Sequence, residues 1–156
     1  MPDKLYDRTT RICELVTLQA DHLAALRDHM EKSNLGALEP TLCGDTTSIK
    51  RKNGWLDRLL RTKQTATYTS VVITPIWLLW VVSSNIQPAT AFSARLSEIE
   101  VSDYDPRRML DRGLDVRTQP THAAKSGNYF IGLSEDEGGN RLRAGLLEAV
   151  KAAHEL

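Results

Sequence analysis

The sequence predicts a mainly β, α+β fold of antiparallel strands with a helix towards each end of the chain. Between residues 65 and 133, short apolar runs follow one another with turn-forming residues between them and no helical pattern to separate them. Towards both ends of the chain, apolar residues instead recur at three- and four-residue steps, which is typical of amphipathic helices.

The first element is predicted to be a long helix over residues 8–33, stopped by Asn34 and Gly36. Its two histidines, His22 and His29, share one side of the helix. Their separation exceeds the four-residue spacing of paired zinc ligands, so we interpret them as solvated or half-buried. Residues 36–54 are predicted to be a connector, with a short edge strand at 41–49 as the alternative.

Six strands are predicted after the connector, and because no helix separates them we expect an antiparallel meander. Their predicted ranges are 65–73, 76–83, 90–94, 99–104, 114–118 and 129–133. A short apolar element of undetermined type precedes them at 55–60. An amphipathic helix follows, with Ser134 and Glu137 as its capping box. Because Gly138 and Gly139 weaken the first turn, we expect regular helix from about Asn140.

The strand at 76–83 has apolar side chains on both of its faces. One face carries Ile76, Leu78, Trp80 and Val82, and the second face carries Trp77, Leu79 and Val81. A sheet face that meets water carries polar residues, so the second face needs a cover. We expect the N-terminal helix to pack on it, in its own chain or in a partner's; an oligomer interface is the alternative.

Composition and charge exclude several classes of protein. Lys and Arg number 20 and Asp and Glu number 20, so no net positive charge attracts nucleic acid, and no nucleic-acid partner is expected. The apolar run at 70–84 is shorter than the ~20 residues of a membrane-spanning helix. The N-terminal residues lack the apolar segment of a secretory signal, so a reduced, cytoplasmic location is predicted. Cys13 and Cys43 are interpreted as buried or unreactive thiols, with a disulfide as the alternative.

Catalytic and metal-binding motifs are absent from the sequence. It has no nucleophile elbow, phosphate-binding loop, zinc-protease helix or calcium loop, and its histidines are not placed beside a nucleophile. Four acidic residues at 98–105 are interpreted as a solvated strand face and turn rather than as a carboxylate pair. We therefore predict a protein that is not an enzyme, with no catalytic residue, cofactor or metal.

Several strand segments resemble those of bacterial pleckstrin-homology-like (PH-like) domains. They are Val71-Val-Ile-Thr74, Trp77-Leu-Leu-Trp-Val81, Leu96-Ser-Glu-Ile99, Gly113-Leu-Asp-Val116 and Phe130-Ile-Gly-Leu133, in the order that such domains use before their final helix. The resemblance covers about residues 55–155. It implies an antiparallel barrel of about seven strands with a C-terminal capping helix. The chain would then divide into an N-terminal helix and connector at 1–54, packed on the barrel, and the PH-like domain at 55–156.

The resemblance also implies a non-enzymatic module that binds a protein partner or associates with itself. A basic segment suggests an alternative, because phospholipid-binding members of this family carry basic residues around the first strand's loop. The residues concerned are Lys50, Arg51, Lys52, Arg58, Arg61 and Lys63. The alternative function is peripheral binding to anionic lipid; a solvated basic loop is the competing interpretation.

Overall fold

The structure is a computed structural model that describes residues 6–50, 65–103, 113–118 and 127–155. Within these ranges the chain forms eight strands and two α-helices. In order they are β1 (Tyr6–Ile12), α1 (Ala20–Ser33), β2 (Leu42–Lys50), β3 (Ala66–Ile73), β4 (Trp77–Ser84), β5 (Thr90–Arg95), β6 (Ile99–Asp103), β7 (Gly113–Thr118), β8 (Gly127–Gly132) and α2 (Glu137–His154). Single 3₁₀ turns lie at Leu15–Thr17 and Leu96–Glu98.

The strands form two antiparallel sheets, one of five strands in the order β1-β2-β3-β4-β5 and one of three in the order β6-β7-β8. Within each sheet consecutive strands pair antiparallel, so the mainly β, α+β class is confirmed. The predicted six-strand meander is confirmed only within each sheet, because the consecutive strands β5 and β6 belong to different sheets. A closed barrel of about seven strands does not fit: the described residues form eight strands in two separate sheets. The domain boundary predicted at residue 54 and the apolar element at 55–60 lie outside the described residues.

The predicted helix over residues 8–33 is wrong in its first part, where the chain forms β1. Alternate residues of β1 point towards the protein, but two of them are polar: Arg8 and Thr10. Arg8 Nε donates a hydrogen bond to Ser48 Oγ at 2.9 Å, and the guanidinium carbon lies over the ring of Phe130, 5.6 Å from its centroid. A strand with polar inward positions has no hydrophobic alternation to reveal it. The helix end is confirmed, since Asn34 caps α1 with a left-handed φ of 54°.

The predicted connector contains β2, which is a full strand between β1 and β3 and not a short edge strand. Its central residues are buried but polar, namely Asp45, Thr46 and Ser48. They are hydrogen-bonded to neighbouring strands: Thr46 Oγ1, for example, lies 2.8 Å from Thr10 Oγ1. Because these buried polar residues are hydrogen-bonded, a strand inside the sheet can have the polar composition that is typical of a loop.

The main core lies between the two sheets and α2. Leu142 and Leu146 of α2 are at most 2% exposed and pack against inward residues of both sheets, among them Val71, Leu78, Trp80, Leu114, Val116 and Ile131. Trp80 of β4 contacts the rings of Phe92 and Tyr129, which come from different sheets. This aromatic group joins the sheets because each ring buries a large apolar area.

The start of α2 differs from the predicted capping box. Asp136 is the N-cap, and one of its oxygens accepts a hydrogen bond from the Gly139 N–H at 2.9 Å. Its other carboxylate oxygen accepts the backbone N–H of Thr10 at the edge of β1, at 3.2 Å. A Cβ on Gly138 would lie 2.2 Å from the Thr10 carbonyl oxygen. The helix therefore begins at Glu137. Its first turn requires glycine at position 138, because that turn packs directly against the backbone of β1.

A second apolar cluster lies on the opposite face of the five-stranded sheet. Leu79 and Val81 of β4 pack there with Val72 of β3, beneath Leu18 and Leu26. Leu26 belongs to α1, which lies over β4 and β5. The prediction that the N-terminal helix covers the second apolar face of this strand is confirmed, and the cover comes from the same chain. Among the described residues, no helix is both long and apolar enough to cross a membrane.

Candidate functional site

The basic segment predicted as a lipid contact falls largely outside the described residues. Lys50 is described, and it is exposed at the end of β2. The other predicted residues, Arg51, Lys52, Arg58, Arg61 and Lys63, all lie in the range 51–64 that the structure does not describe. The lipid contact therefore stays a prediction.

The described residues instead bring together a buried chain of polar side chains beneath α1, which we call the His22 chain: His22, Ser70, Ser83 and Asp45. Asp45 of β2 and Ser70 of β3 are direct cross-strand partners, so their side chains share one sheet face. Ser70 Oγ donates to Asp45 Oδ1 at 2.5 Å. His22 of α1 lies over them, with Nδ1 at 2.6 Å from Ser70 Oγ and Nε2 at 2.6 Å from Ser83 Oγ.

The direction of these hydrogen bonds fixes the form of the imidazole. The hydroxyl proton of Ser70 is committed to the Asp45 carboxylate, so Ser70 Oγ accepts a hydrogen bond from the N–H at His22 Nδ1. In a neutral imidazole Nε2 is then the acceptor, and Ser83 donates to it. Burial lowers the pKa of His22 below its ordinary value of 6.5, against the opposing charges of Asp21 and Asp45. The neutral Nδ1–H form of His22 is thus the one that the site holds.

Arg11 connects the His22 chain to solvent. Its Nη2 donates to Asp45 Oδ2 at 3.0 Å, and the same nitrogen donates to the Thr17 carbonyl oxygen at 3.1 Å. The Arg11 side chain is 59% exposed whereas that of Asp45 is 11% exposed. The hydrogen bond to Asp45 raises the pKa of the Arg11 guanidinium. The carboxylate of Asp45 therefore has a cation on its solvent side and a serine hydroxyl on its buried side.

The hydrogen bond between serine and histidine in the His22 chain is the kind that joins a nucleophile to its base. These residues lack the exposure to solvent that a substrate would need to reach them. Ser83 Oγ and His22 Nε2 are within reach of a proton transfer. However, Ser83 is 5% exposed and His22 is 0% exposed, so no substrate reaches either group while α1 is in place. These residues orient α1 on the sheet. Among the described residues, no group of three or more His, Cys, Asp or Glu side chains is arranged to hold a metal ion.

The two cysteines lie beside the same carboxylate. The Cys13 backbone N–H donates to the Cys43 carbonyl oxygen at 3.1 Å, directly after the last β1–β2 pair, Ile12 with Gly44. Cys13 Sγ is 4.0 Å from Asp45 Oδ2. Burial raises the pKa of the Cys13 thiol and raises that of Cys43 to about 11. Both cysteines are free thiols in this structure.

The burial of His29 was predicted correctly from the sequence, whereas the burial of His22 was not. His29, predicted to be solvated or half-buried, is half-buried and lies 2.8 Å from Ser93 Oγ through Nε2. His22 is fully buried, which corrects its prediction. The positions of its two partners indicate that a buried polar group lies nearby, because Ser70 and Ser83 lie at the two ends of the most apolar run in the chain. A buried hydroxyl there requires a hydrogen-bonding partner from another element.

One end of the five-stranded sheet presents exposed apolar side chains. The strands β1 and β3 finish at this end and β2 and β4 begin there. Val16, in the 3₁₀ turn after β1, is 67% exposed, and Ile76, in the turn between β3 and β4, is 53% exposed. We call these two exposed side chains together the apolar end. A different exposed isoleucine, Ile86 at 80%, lies at the opposite end between β4 and β5.

Comparisons with protein families, with curated proteins and with solved structures find no match to this chain.

Proposed function

We propose that this protein is a non-enzymatic interaction module of PH-like architecture whose partner is a second copy of the same chain. The observation that carries the proposal is the apolar end, where Val16 and Ile76 face solvent. Tight turns ordinarily carry polar residues or glycine, so an exposed isoleucine in the β3–β4 turn favours a binding role. A formal net charge of zero supports association between copies, since they do not repel one another.

The order of the elements supports the PH-like part of the proposal. When β1 and α1 are set aside, four antiparallel strands precede three more and a final helix. That order is the one implied by the resemblance of the sequence. The extra strand β1 and the two separate sheets are the departures from it.

Self-association predicts a specific effect of charge at the apolar end. We expect sedimentation velocity to show a concentration-dependent dimer for the wild-type chain and a monomer for Ile76→Asp, because a buried, unpaired carboxylate opposes contact between the copies. Ile86→Asp is the matched control, since it places the same charge on an exposed isoleucine at the opposite end. Its dimer is expected to match that of the wild-type chain. A wild-type chain that stays monomeric throughout a micromolar-to-millimolar series would refute self-association.

Binding to an anionic membrane is a second candidate, favoured by the exposure of Lys50 where β2 leads into the rest of the basic segment. The triple variant Arg58→Glu, Arg61→Glu and Lys63→Glu is expected to abolish co-sedimentation with phosphatidylserine vesicles at low salt. Each basic residue contributes about 1 kcal/mol near such a surface, and salt screens this attraction. The control reverses three exposed charges on the helices, Arg27, Arg141 and Lys151, and is expected to bind more strongly than the triple variant. Equal binding by the two variants would exclude a contact at residues 50–63.

A further inference from the structure

The two cysteines occupy opposite positions on adjacent antiparallel strands. The β1–β2 register ends with Ile12 opposite Gly44, so Cys13 comes opposite Cys43, and the 3.1 Å backbone hydrogen bond between them shows that the pairing continues one residue past β1. Directly opposite residues joined by such a backbone hydrogen bond have Cα atoms ~5.5 Å apart. Disulfides join Cα atoms that are ~4.4–6.8 Å apart. The backbone therefore places the two cysteines at a separation that a disulfide spans.

Both cysteine side chains also lie on the same face of the sheet. Cys43 is a buried member of the apolar cluster beneath α1, and Cys13 packs against that cluster. The pKa of Cys43 is raised by burial first and by the charge of Cys13 second, as expected for sulfurs that lie near each other. Opposite positions on one face are the arrangement in which cross-strand side chains meet.

We propose that Cys13 and Cys43 form an intramolecular disulfide when the protein meets a low-molecular-weight disulfide such as oxidised glutathione. The bond links the end of β1 to β2 and closes the loop of chain that contains α1. Oxidation thereby fastens the segment that carries the helix to the sheet that it covers. This inference is independent of the proposed self-association.

The exposure of the two sulfurs sets the order of the reaction. Cys13 is half-buried and Cys43 is 3% exposed, so oxidised glutathione reaches Cys13 first. The Cys13 thiolate attacks one glutathione sulfur, forming a mixed disulfide and releasing a glutathione thiolate that takes up the proton Cys13 has lost.

The second step closes the bridge inside the protein. Cys43 gives up its proton and attacks Cys13 Sγ, which forms the new sulfur–sulfur bond and releases the second glutathione. In total the two thiols lose two electrons and two protons, and one oxidised glutathione is reduced to two glutathione molecules. Because burial raises the pKa of both thiols, the reaction accelerates as pH rises.

The test is oxidation of the full chain with millimolar oxidised glutathione, followed by intact mass measurement without reductant. We expect the loss of two hydrogens per chain, the disappearance of both titratable thiols and a melting temperature about 5–10 °C higher, all reversed by dithiothreitol. Cys43→Ser is expected to stop at the mixed disulfide and gain the mass of one glutathione. Cys13→Ser is expected to stay unmodified, since the remaining cysteine is buried.

Two results would overturn the inference. One is a wild-type chain that stops at the mixed disulfide or does not react at all, because the sulfurs would then be unable to meet. The other is a covalent dimer on a non-reducing gel, which would show that the cysteines bridge two chains. Thermal unfolding distinguishes these results from misfolding of the protein or a variant, because a folded protein retains a cooperative transition.

Discussion

Replacing His22 with alanine is expected to lower the free energy of unfolding by about 3–5 kcal/mol. The imidazole is 0% exposed, so its removal leaves a cavity between α1 and the sheet. It also removes the hydrogen-bonding partner of Ser83 and one partner of Ser70, and both hydroxyls are buried. An unsatisfied buried polar group adds its own penalty of ~1–3 kcal/mol. Urea denaturation of both proteins measures the difference.

His29→Ala is the matched control for this prediction. His29 lies two turns further along α1, is half-buried and makes a single side-chain hydrogen bond to Ser93. Its replacement is expected to cost about 1 kcal/mol. Similar losses for the two variants would show that the His22 chain adds nothing beyond ordinary helix packing.

The same histidine makes stability depend on pH. Burial lowers the pKa of His22 in the folded protein below its ordinary value of 6.5, so the unfolded chain binds the proton more readily. The contribution of His22 is therefore complete above pH 6.5 and is lost as the pH falls from there towards its lower folded pKa. His22→Gln has no proton to gain and is expected to show a shallower loss of stability as the pH falls below 6.5. The pKa of His29 is lowered in the same direction, so some dependence remains.

Leu146→Ala is expected to lower the free energy of unfolding by about 2–5 kcal/mol. Leu146 is 2% exposed and packs on the core between the two sheets, so its truncation removes buried apolar contacts and leaves a cavity. The adjacent Leu147 is 37% exposed and provides the same substitution on the outer side of α2. Leu147→Ala is expected to cost less than about 1 kcal/mol. Thermal and urea unfolding both report the ranking, and a reversed order would mean that α2 packs through its other face.

The strands after residue 65 were predictable because their inward positions are apolar. In β4 both faces are apolar, and this pattern correctly predicted a cover for the second face. The strands β1 and β2 were not predictable by the same reasoning. Their inward residues include Arg8, Asp45 and Ser48, which become suitable for burial only through hydrogen bonds to other elements.

The pairing of His22 with Ser70 and Ser83 could not be predicted, for a related reason. The two serines that hold His22 lie 48 and 61 residues away along the chain, so no local spacing marks them as its partners. The cysteines illustrate the same limit. Their pairing depends on the register of β1 against β2, and β1 was predicted as helix, so the juxtaposition of Cys13 and Cys43 followed from no pattern in the sequence.

The contact of Asp136 with Thr10 has a consequence for the protein during its synthesis. The two residues are 126 positions apart, so the outer edge of β1 gains this hydrogen bond only after nearly all of the described chain has left the ribosome. Until then β1 carries an unpaired strand edge, which is the kind of surface on which neighbouring nascent chains pair wrongly. Slow translation or crowded polysomes should therefore favour aggregation of this protein, whereas a chaperone that shields β1 until α2 emerges should raise its yield.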